Sequence, residues 1–440
     1  MQLSSQIKPY TWPRPLSTQR LLPASGAQLI FALVLIVLAF VPLVPMVDAL
    51  EGGVTARGVI EFGLLLAGLG LLAIYLKAQG AFSFDLRSPA FLLISLFTFW
   101  GILSSIWSFN PLLTIAKSTE LWCISLAGLM FVTLAWRSRL GSGKLETLLG
   151  LSMVLVVGGL LVANIFYWGK PLPTTGDTSL PLDLIGHEVI SDRPRLILAY
   201  QHELLTADLL ALAVICLLAG NLNKVLKTIL IPCLLALLWL TDARGPTAGL
   251  LVAMTALAVL KLRRNDVRAI VLMLALSVAV AAVLVFHDRL PAAVSSLMTD
   301  DVSTLNSRTE LWAASVKYVL ARPILGTGYF ASRYLLIKEF PWAGHAHNSF
   351  LEVLITTGLV GLMILLAFVF YVIKKSIKTG SPLLLGVTLY CLIQGMMNPL
   401  IFNPGLAMFV LTIAVFAAGS KDQDVHSVRP LPRGDGWVRV

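Results

Sequence analysis

The sequence has 440 residues, of which 57% are hydrophobic and only 13% are charged. A soluble domain of ordinary composition is about 25% charged, and a mean hydropathy of +0.86 indicates that most of the chain contacts lipid or other apolar helices. These values exclude a secreted disulfide scaffold, a disordered chain and a nucleic-acid-binding domain. The cysteines lie far apart in apolar runs, without metal or disulfide spacing, and are interpreted as small buried hydrophobes: Cys123, Cys216, Cys233 and Cys391.

Apolar segments of near-spanning length recur along the chain. A helix needs roughly 20 apolar residues to cross a hydrocarbon core of about 30 Å. The pattern therefore predicts an all-α integral membrane protein with about twelve transmembrane helices. They are predicted at 28–47, 58–76, 89–107, 118–136, 146–168, 204–220, 225–241, 248–262, 269–286, 349–373, 382–400 and 404–419. The polar first 26 residues are not typical of a cleavable signal peptide.

The basic residues predict the topology. With both termini in the cytoplasm, 21 of the 33 lysines and arginines fall on the inner side, as the positive-inside rule requires. The net charge of +10 is then a topology signal rather than a polyanion-binding surface. The predicted organisation is a cytoplasmic segment 1–26, helices one to nine over 27–286 with an external loop at 169–203, a large external loop at 287–348, helices ten to twelve over 349–419, and a cytoplasmic tail 420–440.

The large external loop is expected to contain a helix. Ser307 is a suitable N-cap, with Glu310 three residues later and an apolar run following, which predicts a helix over Ser307–Leu320. Farther along the chain, Asn398-Pro399 and Asn403-Pro404 leave a very short connection between the last two predicted spans. That spacing is compatible with a broken or re-entrant segment.

The most informative motif follows the large loop. His347-Asn348 is followed by nine residues, Gly358, two residues and Gly361. The pattern resembles the His-[Asn/Ser/Gln], nine residues, Gly-x-x-Gly signature of ligases in the O-antigen ligase and polymerase superfamily of bacterial cell-envelope enzymes. Further patches fit the same family, namely Arg308…Trp312…Gly326-Thr-Gly328, the Thr241–Gly245 turn and Arg195. One departure is that Gln201-His202 stand where the family often has Pro-Asn.

The resemblance implies a GT-C-like fold in the bacterial inner membrane, with the external loops in the periplasm. It also implies transfer of O-antigen glycan from undecaprenyl diphosphate to a sugar hydroxyl of lipid A-core, without a cofactor. Such a transfer needs a base for the hydroxyl proton and cations for the departing diphosphate. Histidine can be neutral near pH 7, and arginine forms a bidentate fork suited to phosphate. We therefore expect His347 to be the base, Arg195 and Arg244 to hold the diphosphate, and Arg308 and Arg289 to assist.

Other residues of these motifs have several readings. Contacts with acceptor or donor sugars are candidates for Trp312, Trp342, His345 and Asn348, although both tryptophans could equally be interfacial anchors. The glycines Gly326, Gly328, Gly358 and Gly361 are expected to serve turns and close helix packing. An arginine at a helix end can also be a snorkelling anchor. His345-x-His347 lacks a completing ligand, as do Asp48 and Glu51 in the first external loop, so no metal is expected.

Three other functions stay open at this stage. Two belong to the same class: an O-antigen polymerase and a protein O-oligosaccharyltransferase. The third is a secondary transporter or lipid flippase, which usually shows two related halves and charged relays at mid-membrane. No half-to-half repeat is visible in this sequence, which favours the transferase.

Overall fold

The computed structural model describes residues 26–41, 43, 56–78, 86–138, 140–166, 196–198, 203–261, 308–340 and 343–418. Over these ranges the chain forms thirteen α-helices and one short 3-10 helix, Ser104–Trp107, without a β-strand. The helices are α1 (Gly26–Leu38), α2 (Ala56–Ala78), α3 (Pro89–Leu103), α4 (Pro111–Arg137), α5 (Ser142–Phe166), α6 (Glu203–Ala219), α7 (Lys224–Leu240), α8 (Arg244–Lys261), α9 (Arg308–Ala321), α10 (Arg333–Glu339), α11 (Ser349–Thr379), α12 (Pro382–Gly395) and α13 (Leu406–Ala417).

The apolar segments found in the sequence coincide with helices wherever the chain is described. Eleven of the twelve predicted spans overlap α1–α8 and α11–α13, and the ninth, 269–286, lies outside the described residues. Within the described ranges five helices are long and apolar enough to cross a membrane, at 57–78, 89–107, 111–137, 143–166 and 349–379. The all-helical class is therefore confirmed, while the count of twelve spans stays a prediction.

Local sequence explains where several helices begin and end. Asn110 caps α4 by accepting a hydrogen bond from the backbone N–H of Leu113, directly before a proline at the first helical position. Ser381 begins α12 in the same way, also followed by a proline. Proline suits that position because its missing N–H has no partner in the first turn. Gly380 ends α11 in the left-handed conformation with φ +56°, where a residue without a Cβ is favoured.

The centre of the bundle is formed by α6 and α13. Residues 207–217 of α6 are at most 4% exposed, and residues 407–416 of α13 at most 8%. A helix that is apolar all round needs neighbours on every side. By contrast, α2 leaves Val59, Leu66 and Ile74 exposed on its outer face, where a membrane protein contacts lipid.

Two ion pairs lie within the described helices. Lys117 and Glu120 of α4 form the first, with 2.7 Å between Nζ and Oε2. Arg57 pairs with Glu61 on α2 at 2.8 Å. Such residues are costly in lipid unless they face partners or the bundle interior, and these pairs meet that condition.

Asp208 of α6 is the most deeply buried of these carboxylates. It is 4% exposed and accepts hydrogen bonds from the hydroxyl of Tyr390 and, at 3.3 Å, from Nε2 of Gln394, both on α12. The polar side chains therefore join α6 to α12 in the middle of the bundle, as expected for a carboxylate that faces away from lipid.

Two predictions for the loops can be compared with the structure. The helix expected at Ser307–Leu320 is confirmed as α9, Arg308–Ala321, whereas Ser307 lies outside the described residues. Helix α12 ends at Gly395, five residues before the predicted end of that span. Its connection to α13 is consequently longer than predicted, and Leu400, Ile401 and Phe402 within it are buried.

Candidate active site at the ends of α8, α9 and α11

The His-Asn pair of the motif lies at the start of α11. Asn348 is the N-cap, and its Oδ1 accepts hydrogen bonds from the backbone N–H groups of Phe350 at 3.0 Å and Leu351 at 3.1 Å. Its Nδ2 donates to the carbonyl of Met396 at 3.3 Å. An asparagine before a helix satisfies N–H groups that have no partner within the helix. This accounts for Asn348 structurally, while its predicted sugar contact stays a prediction.

His347 has an uncommon backbone conformation, with φ +49°. Few residues other than glycine adopt this left-handed region, although asparagine, aspartate and histidine are enriched there. The backbone N–H of His347 donates to Nδ1 of His345 at 3.2 Å, and the ring centroids lie 4.2 Å apart. Because Nδ1 of His345 accepts, a neutral His345 carries its proton on Nε2. The two histidines are thus held side by side, both half-buried.

The peptide between the two histidines is held from both sides. The N–H of Ala346 donates to Oε2 of Glu352 at 2.9 Å, and its carbonyl accepts from Nε1 of Trp312 at 3.0 Å. The other oxygen of Glu352 accepts from the hydroxyl of Ser332 at 2.5 Å. Trp312 on α9, Ser332 beside α10 and Glu352 on α11 therefore fix the loop that carries His347.

Glu352 acts on the loop rather than on the histidine side chain. Five residues along a helix separate it from His347, a spacing that does not share a helix face. It reaches the loop because residues 344–348 turn back over the first turn of α11. No pattern in the sequence indicates this reversal.

The Gly326-Thr-Gly328 motif contacts the Gly358-x-x-Gly361 motif, with Gly326 lying against Gly358. Helix α11 breaks at Gly358, with φ +67° and ψ −165°, so that the segment 349–357 is followed by a second helical segment. The residues 323–328, here called the Gly326 turn, pack against this break. Gly326 and Gly328 have φ values of +68° and +108°, conformations that only glycine adopts without strain.

Backbone hydrogen bonds join the Gly326 turn to the broken helix. Thr327 N–H donates to the carbonyl of Ile355 at 3.0 Å, and Gly328 N–H donates to that of Thr356 at 2.8 Å. In the other direction, Leu359 N–H donates to the carbonyl of Pro323 at 2.8 Å. The structure thus has a turn at Gly326-Thr-Gly328 that packs closely against Gly358, and it adds a break in the helix that no sequence pattern predicted.

Gly361 makes a contact of a different kind. It lies one turn after Gly358, where a Cβ would meet the side chain of Thr357 and would lie 3.5 Å from the ring of Phe97 on α3. The absence of a side chain thus leaves room for Thr357 within α11, because the distance to Phe97 is an ordinary van der Waals contact, and the predicted role of Gly361 in helix packing stays a prediction.

The segment 394–397 at the end of α12 brings the arginine motifs to the His347 loop. Arg308 at the start of α9 donates from Nη1 to the sulfur of Met397 at 3.3 Å. A Cβ placed on Gly245, the neighbour of Arg244 at the start of α8, would lie 3.4 Å from Cβ of Met397. Asn348 bonds Met396, as described above. Arg244, Arg308 and the loop of His347 therefore meet around one end of α12.

The electrostatics of Arg308 follow from its position. Burial lowers the pKa of Arg308, because removal from water disfavours the charged form. An arginine nonetheless stays protonated in proteins. It thus contributes a fixed positive charge in a partly desolvated place, where attraction to an anion is stronger than in water.

Three of the predicted site residues, Arg195, Arg289 and Trp342, lie outside the described residues. For Arg195, the next residue in the chain is described. The N–H of Leu196 donates to the carbonyl of Leu240 at 2.7 Å, just before the turn that leads to Arg244. The segment 196–198 is also bonded to α5, where Asn164 Nδ2 donates to the carbonyl of Ile197 at 2.7 Å. Asp48 and Glu51 lie outside the described residues too, and over the part of the chain that is described no group of three potential metal ligands occurs.

The fold and the site together define the class of the protein. Long apolar helices with paired interior charges, and a polar cluster of histidine and arginine at one end of the bundle, are the features of a multi-pass helical membrane protein. Residues 229–366 match the sequence profile of the O-antigen ligase family. That region runs from α7 into α11 and contains Arg244, Arg308 and His347, so the resemblance found in the sequence is confirmed there.

One curated relative adds to this match. The chain is 38% identical over 74 residues to the exopolysaccharide production protein ExoQ of Rhizobium meliloti (strain 1021), covering 14% of this chain and 17% of that protein. The alignment thus spans about a sixth of the relative's length. The similarity is confined to a short part of each protein.

Proposed function

We propose that this protein is a glycosyltransferase of the O-antigen ligase type. It transfers O-antigen glycan from undecaprenyl diphosphate to a sugar hydroxyl of lipid A-core at the periplasmic face of the bacterial inner membrane, with both termini in the cytoplasm. The observation that carries the proposal is the meeting of Arg244, Arg308 and the His347 loop around residues 394–397, within and beside the region that matches the ligase family.

The proposed reaction is a single displacement with inversion. The acceptor hydroxyl oxygen bonds to the anomeric carbon of the glycan while the bond between that carbon and the diphosphate oxygen breaks. The hydroxyl proton passes to the neutral imidazole of His347, and the bonding electrons leave with the diphosphate. Arg244, Arg195 and Arg308 bind the departing anion, with Arg289 as a further candidate, so that its charge is stabilised as it develops.

The local structure supports His347 as the base. Its backbone is fixed by the left-handed turn, by the bond to His345 and by the hydrogen bonds to both sides of the neighbouring Ala346 peptide. A base must stand within hydrogen-bond reach of the proton it removes, and a rigid backbone keeps it there without reorganisation during the reaction. Arginine charge can neutralise a diphosphate directly, so the proposed mechanism includes no metal ion.

The test of function uses purified protein in lipid nanodiscs. Lipid-linked glycan is supplied with rough lipopolysaccharide, with polymerisable repeat units or with an acceptor protein, and product size is followed on gels. Glycosylated lipopolysaccharide formed only with the first acceptor is the result expected for a ligase. No product with any acceptor would contradict transferase activity.

A second candidate function is polymerisation of a polysaccharide. It is favoured by the similarity to a protein named for exopolysaccharide production. Elongated lipid-linked glycan in the second reaction of the same assay would identify a polymerase, and that result would overturn the ligase proposal while leaving the chemistry of the site unchanged.

The role of His347 is tested with His347→Asn. Asparagine accepts the left-handed conformation but is not a base, so transfer should fall about a hundredfold to ten-thousandfold, the usual contribution of general base catalysis. The matched control is His345→Asn, which retains an acceptor for the backbone bond and should lose far less. A wild-type turnover rate in His347→Asn would refute the assignment of His347 as the general base.

A further inference from the structure

We propose that the Gly326 turn is inserted into the outer leaflet of the membrane, where the exposed apolar side chains around it contact lipid acyl chains. The turn belongs to the loop that the sequence places outside the membrane. Its hydrogen bonds nevertheless run to Ile355, Thr356 and Leu359, which lie within the apolar helix α11. The position of the turn along α11 therefore decides its depth.

The length of α11 gives a first measure of that depth. Its two helical segments, on either side of the Gly358 break, together hold 31 residues, whereas about 20 residues suffice to cross a hydrocarbon core of about 30 Å. Lys374 and Lys375 mark one membrane boundary, since lysines at helix ends prefer the interface. Lys374 lies 16 residues after Gly358, a rise of about 24 Å. The break at Gly358 is then still inside the core, near its opposite surface.

Helix α3 gives a second, separate measure. Nε1 of Trp100 donates to the carbonyl of Thr357 at 3.0 Å, which places these two residues at one level. Trp100 is 11 residues after Pro89, a rise of about 17 Å from the start of the helix beside Arg87. Both measures place the Gly326 turn roughly 6–13 Å below the outer surface of a core about 30 Å thick.

The side chains around the turn suit lipid. Leu320 is 72% exposed, Ile324 61% and Leu325 45%, and none of them packs into the bundle. Ile106 and Phe109 of the neighbouring α3–α4 connection are 77% and 53% exposed. At the calculated depth these groups contact acyl chains, whereas the same groups at an aqueous surface would form an unusually large apolar patch.

Several backbone groups of the segment have protein partners. Irregular backbone at membrane depth is tolerated where it is buried in protein, which supplies such partners. The N–H of Gly326 donates to the carbonyl of Arg322 at 3.1 Å, and the next two N–H groups bond α11 as described. The guanidinium of Arg322 lies 5.9 Å from the ring centroid of Phe109, and its long side chain can extend toward the headgroups.

The experiment uses full-length protein in nanodiscs, in a Cys233→Ala background because Cys233 is the exposed cysteine among the four. Single cysteines replace Leu325 or Leu320 and carry an environment-sensitive fluorophore. Lys317→Cys, on the exposed side of α9, is the aqueous control. Met363→Cys, 55% exposed on α11 and eleven residues before Lys374, lies about 16 Å from that boundary and is the deep-membrane control. The lipids are brominated either near the headgroup or near the chain end.

The labels at positions 325 and 320 should be quenched more strongly by shallow bromines than by deep ones. The label at 363 should show the opposite preference, and the label at 317 should respond to neither lipid. Labels at 325 and 320 that are quenched as little as the label at 317 would overturn the proposal. Depth is read without glycan transfer, so the result is independent of the proposed function.

Discussion

The break in α11 at Gly358 can be tested by adding a single methyl group. In Gly358→Ala the backbone must keep φ +67° and ψ −165°, a region that is essentially restricted to glycine and costs other residues roughly 2 kcal/mol. The new Cβ would also collide with the carbonyl of Ile324 and lie 2.7 Å from the nitrogen of Gly326. The Gly326 turn must therefore move away.

The expected loss of stability follows from these two effects. Moving the turn gives up about two of its backbone bonds to α11, each worth roughly 1 kcal/mol. Adding the cost of the unfavourable backbone conformation, we expect the free energy of unfolding to fall by about 4 kcal/mol. The measurement is reversible unfolding in mixed micelles of mild detergent and SDS, with tryptophan fluorescence as the signal.

Two matched glycines separate the contributions. Gly380 has φ +56° with open space around it, so Gly380→Ala should cost only about 1 kcal/mol for the left-handed conformation. Gly159, on an exposed face of α5, meets nothing within 4 Å, and alanine there should be neutral or slightly stabilising because it favours the helix. If Gly358→Ala unfolds at the same denaturant concentration as Gly159→Ala, the packing of the turn against the break does not stabilise the fold.

The other predictions concern the polar contacts. Glu352→Ala removes the acceptor of the Ala346 N–H and should lower the turnover rate with little change in KM. Glu352→Gln retains an acceptor and should keep most of the wild-type turnover rate. Equal losses in both variants would contradict the role of Glu352 in positioning the loop. Trp312→Phe deletes the bond to the Ala346 carbonyl but keeps the ring, and should reduce stability by about 1 kcal/mol in the same unfolding assay. Asp208→Asn retains an acceptor for the two donors, Tyr390 and Gln394, and should unfold like the wild type. Asp208→Leu leaves both donors without an acceptor and should lower the free energy of unfolding by roughly 2–4 kcal/mol. Similar values for the two variants would show that these hydrogen bonds do not stabilise the fold. Transfer should persist in excess chelator, and loss restored by magnesium or manganese would refute a metal-free mechanism.

The sequence predicts the helical class because apolar runs, which are local patterns, place the helices. It predicts their ends less well: α4 begins at Pro111 after its cap Asn110, not at 118, and α11 continues to Thr379 before Gly380, not to 373. The lysine–glutamate pair on α4 also follows from spacing, since residues three apart are neighbours on a helix.

The site was predictable only in part, because its contacts join segments that are distant in the chain. Spacing identifies His347, Gly358 and Gly326 as a motif, but not that the last two oppose each other across a broken helix. The sulfur of Met397 as a partner of Arg308 has no sequence pattern. Glu352 stands five residues after His347, and only the reversal of the loop reveals that it bonds Ala346 and Ser332.

The contacts at the start of α11 also determine the order in which the site can form during synthesis. The hydroxyl of Ser349 accepts from the N–H of Leu400 at 2.9 Å and donates to the carbonyl of Asn398 at 3.3 Å, while Asn348 bonds Met396. All three partners emerge from the ribosome about fifty residues after the histidine loop. A nascent chain arrested before residue 396 therefore holds the complete motif in sequence yet lacks the support of that loop. The histidine loop is therefore expected to gain its full support only when the last two helices have entered the bundle.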